Sequence, residues 1–121
     1  MATTTHELPR ETWRTYFDQL SRNLGTVEAT VEVAGRDLGA QVAAERLILV
    51  GISYDDKDDA LVVALDAGPG ERGAFEHLVD RPQRIYVAMG EGAEMTIDAE
   101  DAEGHPTLVR LERPEALPEP R

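Results

Sequence analysis

From Thr26 onward the chain changes its hydrophobic period: Val27, Ala29, Val31 and Val33 alternate with Glu28, Thr30 and Glu32. Strict alternation gives a strand one apolar face and one wet face, and a helix of the same sequence would scatter those side chains around its axis. The pattern then returns along the chain. Leu61, Val63 and Leu65 alternate, as do Ile85, Val87 and Met89, and then Met95, Ile97 and Ala99. Leu108, Val109 and Leu111 mark a last strand, closed by Pro114. Turn-forming stretches rich in Gly and Asp separate these runs: Gly35–Gly39, Asp55–Asp59, Gly90–Gly92 and Asp101–Gly104.

Two segments read less simply. A strand running from about Ala40 to Ser53 is apolar on both faces in its second half, Leu47–Ile52, which predicts a central position or a cover by a helix. Ala74–Asp80 fits a strand through Phe75, His77 and Val79, and a short helical turn through Phe75, Leu78 and Val79; the strand is preferred, and Pro82 ends it.

Before the first strand the period is helical. Trp13, Phe17, Leu20 and Leu24 recur at i, i+4, i+7 and i+11. Pro9 suits a first helical position, and Gly25 suits the left-handed residue that ends many helices. Arg14, Asp18 and Arg22 follow one another at four-residue spacing on another face. An aromatic stripe of this kind could stack a ligand, but its commoner role is to dock a helix on a sheet. The expected fold is mainly β (α+β): an N-terminal helix of about sixteen residues, then an antiparallel β-meander of about six strands in a curled sheet or small barrel. Residues 1–8 are expected to be a disordered N-terminus, residues 9–113 one helix-plus-meander domain, and residues 114–121 a free Pro-rich tail.

Composition narrows the chemistry. The 121 residues contain no cysteine, which removes disulfides, thiolate metal sites and thiol catalysis together. The formal net charge is −12, which opposes binding to nucleic acid and to anionic membranes. A surface of one sign can mimic nucleic acid or capture a basic partner; more simply, it keeps the chain soluble. Eleven of the twelve basic residues are arginine, Lys57 being the exception. No signal peptide opens the sequence and no apolar run is long enough to span a bilayer, so a cytoplasmic location is expected.

Motifs that could carry chemistry fail on their context. Gly68-x-Gly70-x-x-Gly73 follows a strand, as a dinucleotide-binding loop does, but Pro82 leaves no room for the helix that would aim at a pyrophosphate, and Pro69 removes a backbone donor. Asp55–Asp59 lacks the alternating acids, central Gly and distal Glu of a calcium loop. Asp98 and Glu100 share one strand face, but beside a turn water should level their acidities. His6, His77 and His105 are scattered, and Ser21 and Ser53 lack the setting of a nucleophile. No catalytic, cofactor-binding or metal-binding residue is assigned.

Several short motifs resemble a family of uncharacterised bacterial proteins, a domain of unknown function of about this length. They are Pro9-Arg10-Glu11-x-Trp13 with Phe17 and Ser21-Arg22, then Asp37-Leu38-Gly39-Ala40-Gln41, Gly51-Ile52-Ser53, Gly68-Pro69-Gly70 and Pro82. The resemblance covers nearly the whole chain and implies no activity. The leading expectation is therefore a non-catalytic protein-interaction or assembly module, working as a homo-oligomer or with a protein partner. The alternatives are a small ligand-binding barrel or enzyme, for which a deep cavity holding His77, Tyr86 or an arginine would speak, and an acidic partner of a basic protein or a nucleic-acid mimic.

Overall fold

The computed structural model describes residues 4–35, 39–66, 74–90 and 94–113. The Gly68–Gly73 loop motif and the 114–121 tail lie outside them. Eight strands form one antiparallel sheet: β1 (Thr4–Glu7), β2 (Glu28–Gly35), β3 (Gly39–Asp55), β4 (Ala60–Asp66), β5 (Ala74–Asp80), β6 (Arg84–Met89), β7 (Met95–Glu100) and β8 (Pro106–Glu112). Between β1 and β2 a 3-10 turn at Arg10–Thr12 leads into the helix α1 (Trp13–Asn23). Pro9 is extended (ψ 140°) and precedes that turn rather than starting the helix. Gly25 takes a left-handed φ of +70° just past the last helical turn, where a Cβ would be strained.

Strand order is β1-β6-β7-β8-β2-β3-β4-β5, so the mainly β, antiparallel fold is as expected but the strands are not one continuous meander, and of the curled sheet and the small barrel it is not the closed form. Two short meanders, β2 to β5 and β6 to β8, are joined where β8 pairs with β2, and the sheet is open, with β1 and β5 as its edges among the described residues. The switch occurs after β5. Arg81 is left-handed (φ 50°) and Pro82, fully buried, has no N–H to continue the ladder, so the chain leaves β5 and starts β6 near the opposite edge. Four Cα steps carry it from Asp80 to Arg84, at most about 15 Å, so the sheet must curl until its two ends approach. The expected disordered start is corrected for residues 4–7, which pair with Tyr86–Met89 as β1. All four side chains of β1 are exposed, so it is held by backbone pairing and carries no apolar signature.

The core fills the concave face. Trp13 and Phe17 from α1 pack with Val27, Ala29, Val31, Ile52, Leu61, Val63, Leu65, Val79, Ile85, Val87, Ile97, Ala99, Val109 and Leu111. The alternating positions of β2, β4, β6 and β7 thus face inward as expected, except that Met89 is exposed. In β8 the inward residues are Thr107, Val109 and Leu111, and Leu108 faces out.

β3 departs from simple alternation. Its inward residues are Ala44, Leu49 and Ile52, with Leu47 partly buried, because three register shifts reset its phase. One lies at Arg46, whose φ is 53° and whose amide bonds the Thr30 hydroxyl at 3.1 Å. The Arg46 guanidinium lies 3.0 Å from Glu28 and 3.4 Å from Glu112, holding together two carboxylates that oppose each other across β2 and β8. The others lie at Ala43, against β2, and at Val50, against β4. The doubly apolar run Leu47–Ile52 therefore reflects a change of phase: Val50 is 61% exposed.

β3 also changes neighbours. Its first half, to Ile48, pairs with β2; its second half, from Ile48, pairs with β4. Helix α1 stands against the edge that β2 has left. Ser21 Oγ donates to the Ile52 carbonyl at 2.7 Å and accepts from the Ile52 amide at 2.9 Å, standing in for the missing strand. Trp13 seats the other end: its indole N–H donates to the Leu8 carbonyl at 3.0 Å, and its ring meets Tyr54 edge-on at 5.1 Å.

Two outcomes are expected in denaturant titrations. Trp13→Ala should destabilise by about 3–5 kcal/mol, as truncation of a buried Trp does. Ser21→Ala should cost about 1–3 kcal/mol, because one substitution orphans both an N–H and a C=O. An unchanged midpoint for Ser21→Ala would show that Ile52 finds other partners.

Candidate functional site

The convex face of β3, β4 and β5 is where apolar surface is left over. The register aligns Ser53, Val62 and Leu78 in one cross-strand row, and Gly51, Ala64 and Glu76 in the next. With Asp18, Ser21 and Arg22 of α1 these rows, Leu78 apart, line a groove of about 300 Å³. Its floor is Gly51, Val62 and Ala64. One wall is the helix, on which Asp18 and Arg22 lie one turn apart; the other is Glu76. Leu78, beside Val62, is 55% exposed.

β5 is also a free edge. It pairs with β4 through seven consecutive residues without a bulge, and no strand covers its other side among the described residues. Its outward-facing residues are Glu76, Leu78 and Asp80, and its inward-facing ones include His77 and Val79. His77 is partly buried, and loss of hydration holds its pKa below the ordinary 6.5, so the ring is neutral at physiological pH.

A second cluster joins three segments at one end of the molecule. Arg10 lies 4.6 Å above the Trp13 ring and donates to the Pro82 carbonyl at 2.9 Å. It also lies 3.6 Å from Asp59, which accepts the Tyr54 hydroxyl at 2.6 Å. The Arg81 amide donates to the Asp59 carbonyl at 2.7 Å. Burial, then the Asp59 carboxylate, raise the Tyr54 pKa, so the phenol keeps the proton it donates. This clasp fixes the helix start to the β3–β4 turn and the β5–β6 link; every polar group in it faces another, which marks it as structural.

The residues weighed from sequence are mostly kept apart. Asp55–Asp59 forms the β3–β4 turn, where Asp55 accepts the amides of Lys57 and Asp58. Arg14 pairs with Asp56 at 3.3 Å. Among the described residues no group of three His, Cys, Asp or Glu side chains could hold a metal ion. His105 bonds into its own turn through Asp101, and His6 lies on exposed β1. Tyr86 and Asp98 are neighbours across β6 and β7.

Asp98 and Glu100 do share a face, but the expectation that water levels Asp98 is corrected. Asp98 sits mid-strand between Tyr86 and Leu108, and its Oδ1 is buried with no hydrogen-bond partner among the described residues. Desolvation, then Glu100, raise its pKa above the ordinary 3.8.

Three comparisons with known proteins bear on identity. The sequence pattern of a family of unknown function, DUF5335, matches residues 4–120. This chain belongs to DUF5335. An uncharacterised protein of the bacterium Aquifex aeolicus (strain VF5) is 38% identical over 115 residues, covering 95% of this chain and 98% of that relative. No solved structure matches. Six of the residues that carry the family resemblance in sequence mount α1: Arg10 and Pro82 in the clasp, Trp13 and Phe17 in the core, and Ser21 with Ile52 at the β3 edge. No described helix of this DUF5335 chain is long and apolar enough to cross a membrane.

In sequence Leu78 enters only as part of an alternative helical turn, and Glu76 not at all. The signal was present: once 74–80 is a strand, Leu78 is an apolar residue on its wet face.

Asp98 gives a test of the electrostatics. A carboxyl whose folded pKa lies above its unfolded one adds stability when protonated and loses it as pH rises through the folded value. Asp98→Asn should therefore raise the melting temperature at pH 7. That advantage should shrink as pH falls from above Asp98's raised value toward 3.8. A constant difference across that range would refute the assignment.

Proposed function

We propose that this chain is a non-catalytic interaction module that docks a protein segment at the free β5 edge. The observation that carries this reading is the edge itself: seven residues in unbroken register, with Leu78 55% exposed beside Val62 on the same flank. Natural sheets blunt exposed edges with bulges, prolines, lysines or very short strands. β1 is short and entirely polar, whereas β5 runs seven residues without bulge, proline or lysine and sets an exposed leucine between its two acids. A partner strand would gain main-chain hydrogen bonds from the edge and side-chain burial from Leu78.

The groove beside it supports the same reading. The one hydroxyl of α1 that lines it, Ser21, is committed to Ile52 through both its donor and its acceptor. A nucleic-acid mimic would spread its carboxylates over one continuous face. Here the convex face intersperses them with arginines: Arg46 with Glu28 and Glu112, and Arg110 at 2.9 Å from Glu32.

Native mass spectrometry of the untagged natural protein tests the proposal. The expected mass includes a second polypeptide, and Leu78→Asp should release it while the variant stays folded by circular dichroism. A bound small molecule of fixed stoichiometry, or a partner that Leu78→Asp leaves in place, would overturn it.

A further inference from the structure

We infer that the occupant of the β5 edge is a basic, extended segment of another protein, with cationic side chains flanking an apolar one on its outward face; the inference rests on the docking reading above. The outward row of β5 is acid, apolar, acid: Glu76, Leu78, Asp80. A strand laid beside β5 places every second side chain next to this row. Lysine or arginine opposite Glu76 and Asp80, with leucine or valine opposite Leu78, completes it.

The charges on β5 are available. Asp80 is 77% exposed, and its neighbour Arg81, at 3.6 Å, is 60% exposed, so that pair is solvated and weak. No described cation pairs with Glu76. The whole chain carries −12, which draws a cationic segment toward the edge before any contact forms. On the inward face the newcomer would meet Val79 and His77. His77 is neutral there, so it does not serve as the inward-pointing charge that would repel a strand.

A second copy of this chain fits poorly. Antiparallel pairing about a two-fold axis at Leu78 sets Leu78 against Leu78 but Glu76 against Asp80, four carboxylates in two like-charged pairs. Those pairs would add to the repulsion between two molecules of charge −12.

The test uses the full chain, labelled for amide NMR, and three capped heptapeptides: SKVLVKS, STVLVTS and SKVPVKS. SKVLVKS is expected to shift the amide signals of residues 76–80, and its affinity should fall as salt is raised. STVLVTS should bind roughly fivefold more weakly, the loss that two solvent-exposed ion pairs account for. SKVPVKS keeps the charge but lacks the leucine that would meet Leu78 and the central N–H, so it should leave those signals nearly unmoved. Glu76→Lys should weaken SKVLVKS by a similar roughly fivefold factor and leave STVLVTS unaffected. Equal binding of SKVLVKS and STVLVTS at residues 76–80 would overturn the basic partner while keeping the edge as a docking site. Equal binding of SKVLVKS and SKVPVKS, with shifts spread over the acidic surface, would reduce the effect to charge attraction and overturn the inference. Silence of residues 76–80 toward all three peptides would also overturn it; the docking reading would then stand or fall on the native mass measurement.

Discussion

Ser21 and Ile52 hold the architecture together at its least conventional point. β3 is shared between two groups of strands, and where it passes from β2 to β4 one of its edges loses its strand neighbour. A buried backbone amide and carbonyl without partners would make that crossing untenable. A single hydroxyl that both donates and accepts resolves the problem, and it fixes α1 in place as it does so. The position of Trp13 and Phe17 in the core, the clasp around Arg10 and the helical wall of the groove all follow from α1 standing there.

The sequence spoke clearly wherever a side chain alternates between oil and water. The inward residues of β2, β4 and β7 could be read one by one, because each strand keeps its phase from end to end. β3 could not be read in this way. Its bulges at Ala43, Arg46 and Val50 are made by backbone geometry, and a bulge looks in sequence like a strand that is apolar on both sides. β1 left no trace either: four exposed residues paired through their backbone carry no apolar pattern. The return of β8 to β2 is a long-range choice that no local period encodes. The edge at β5 was hidden for that reason, since Leu78 becomes conspicuous only once its strand is known to be last in the sheet.

Arginine suits the places where this chain gathers charge. Arg46 spans two carboxylates from different strands, Arg110 reaches both oxygens of Glu32, and Arg10 lies over an indole while donating to a carbonyl. A planar fork of donors makes these contacts at once, and an ammonium group cannot. Arg46 and Arg110 thereby tie three carboxylates into bridges between strands.

The clasp also dictates an order of events during synthesis. Arg10 and Trp13 leave the ribosome early, yet their anchors include Tyr54, Asp59 and the Pro82 carbonyl. β1 must wait longer for β6, and β2 for β8, which ends at Glu112. The first third of the chain therefore spends most of translation with its apolar residues unsheltered, and the assembly of distant strands is intrinsically slow. A nascent chain in that condition profits from mutual repulsion between copies. The first sixty residues carry eleven acids against six bases, so the emerging half already has a net negative charge, though most of the whole chain's −12 arrives after it.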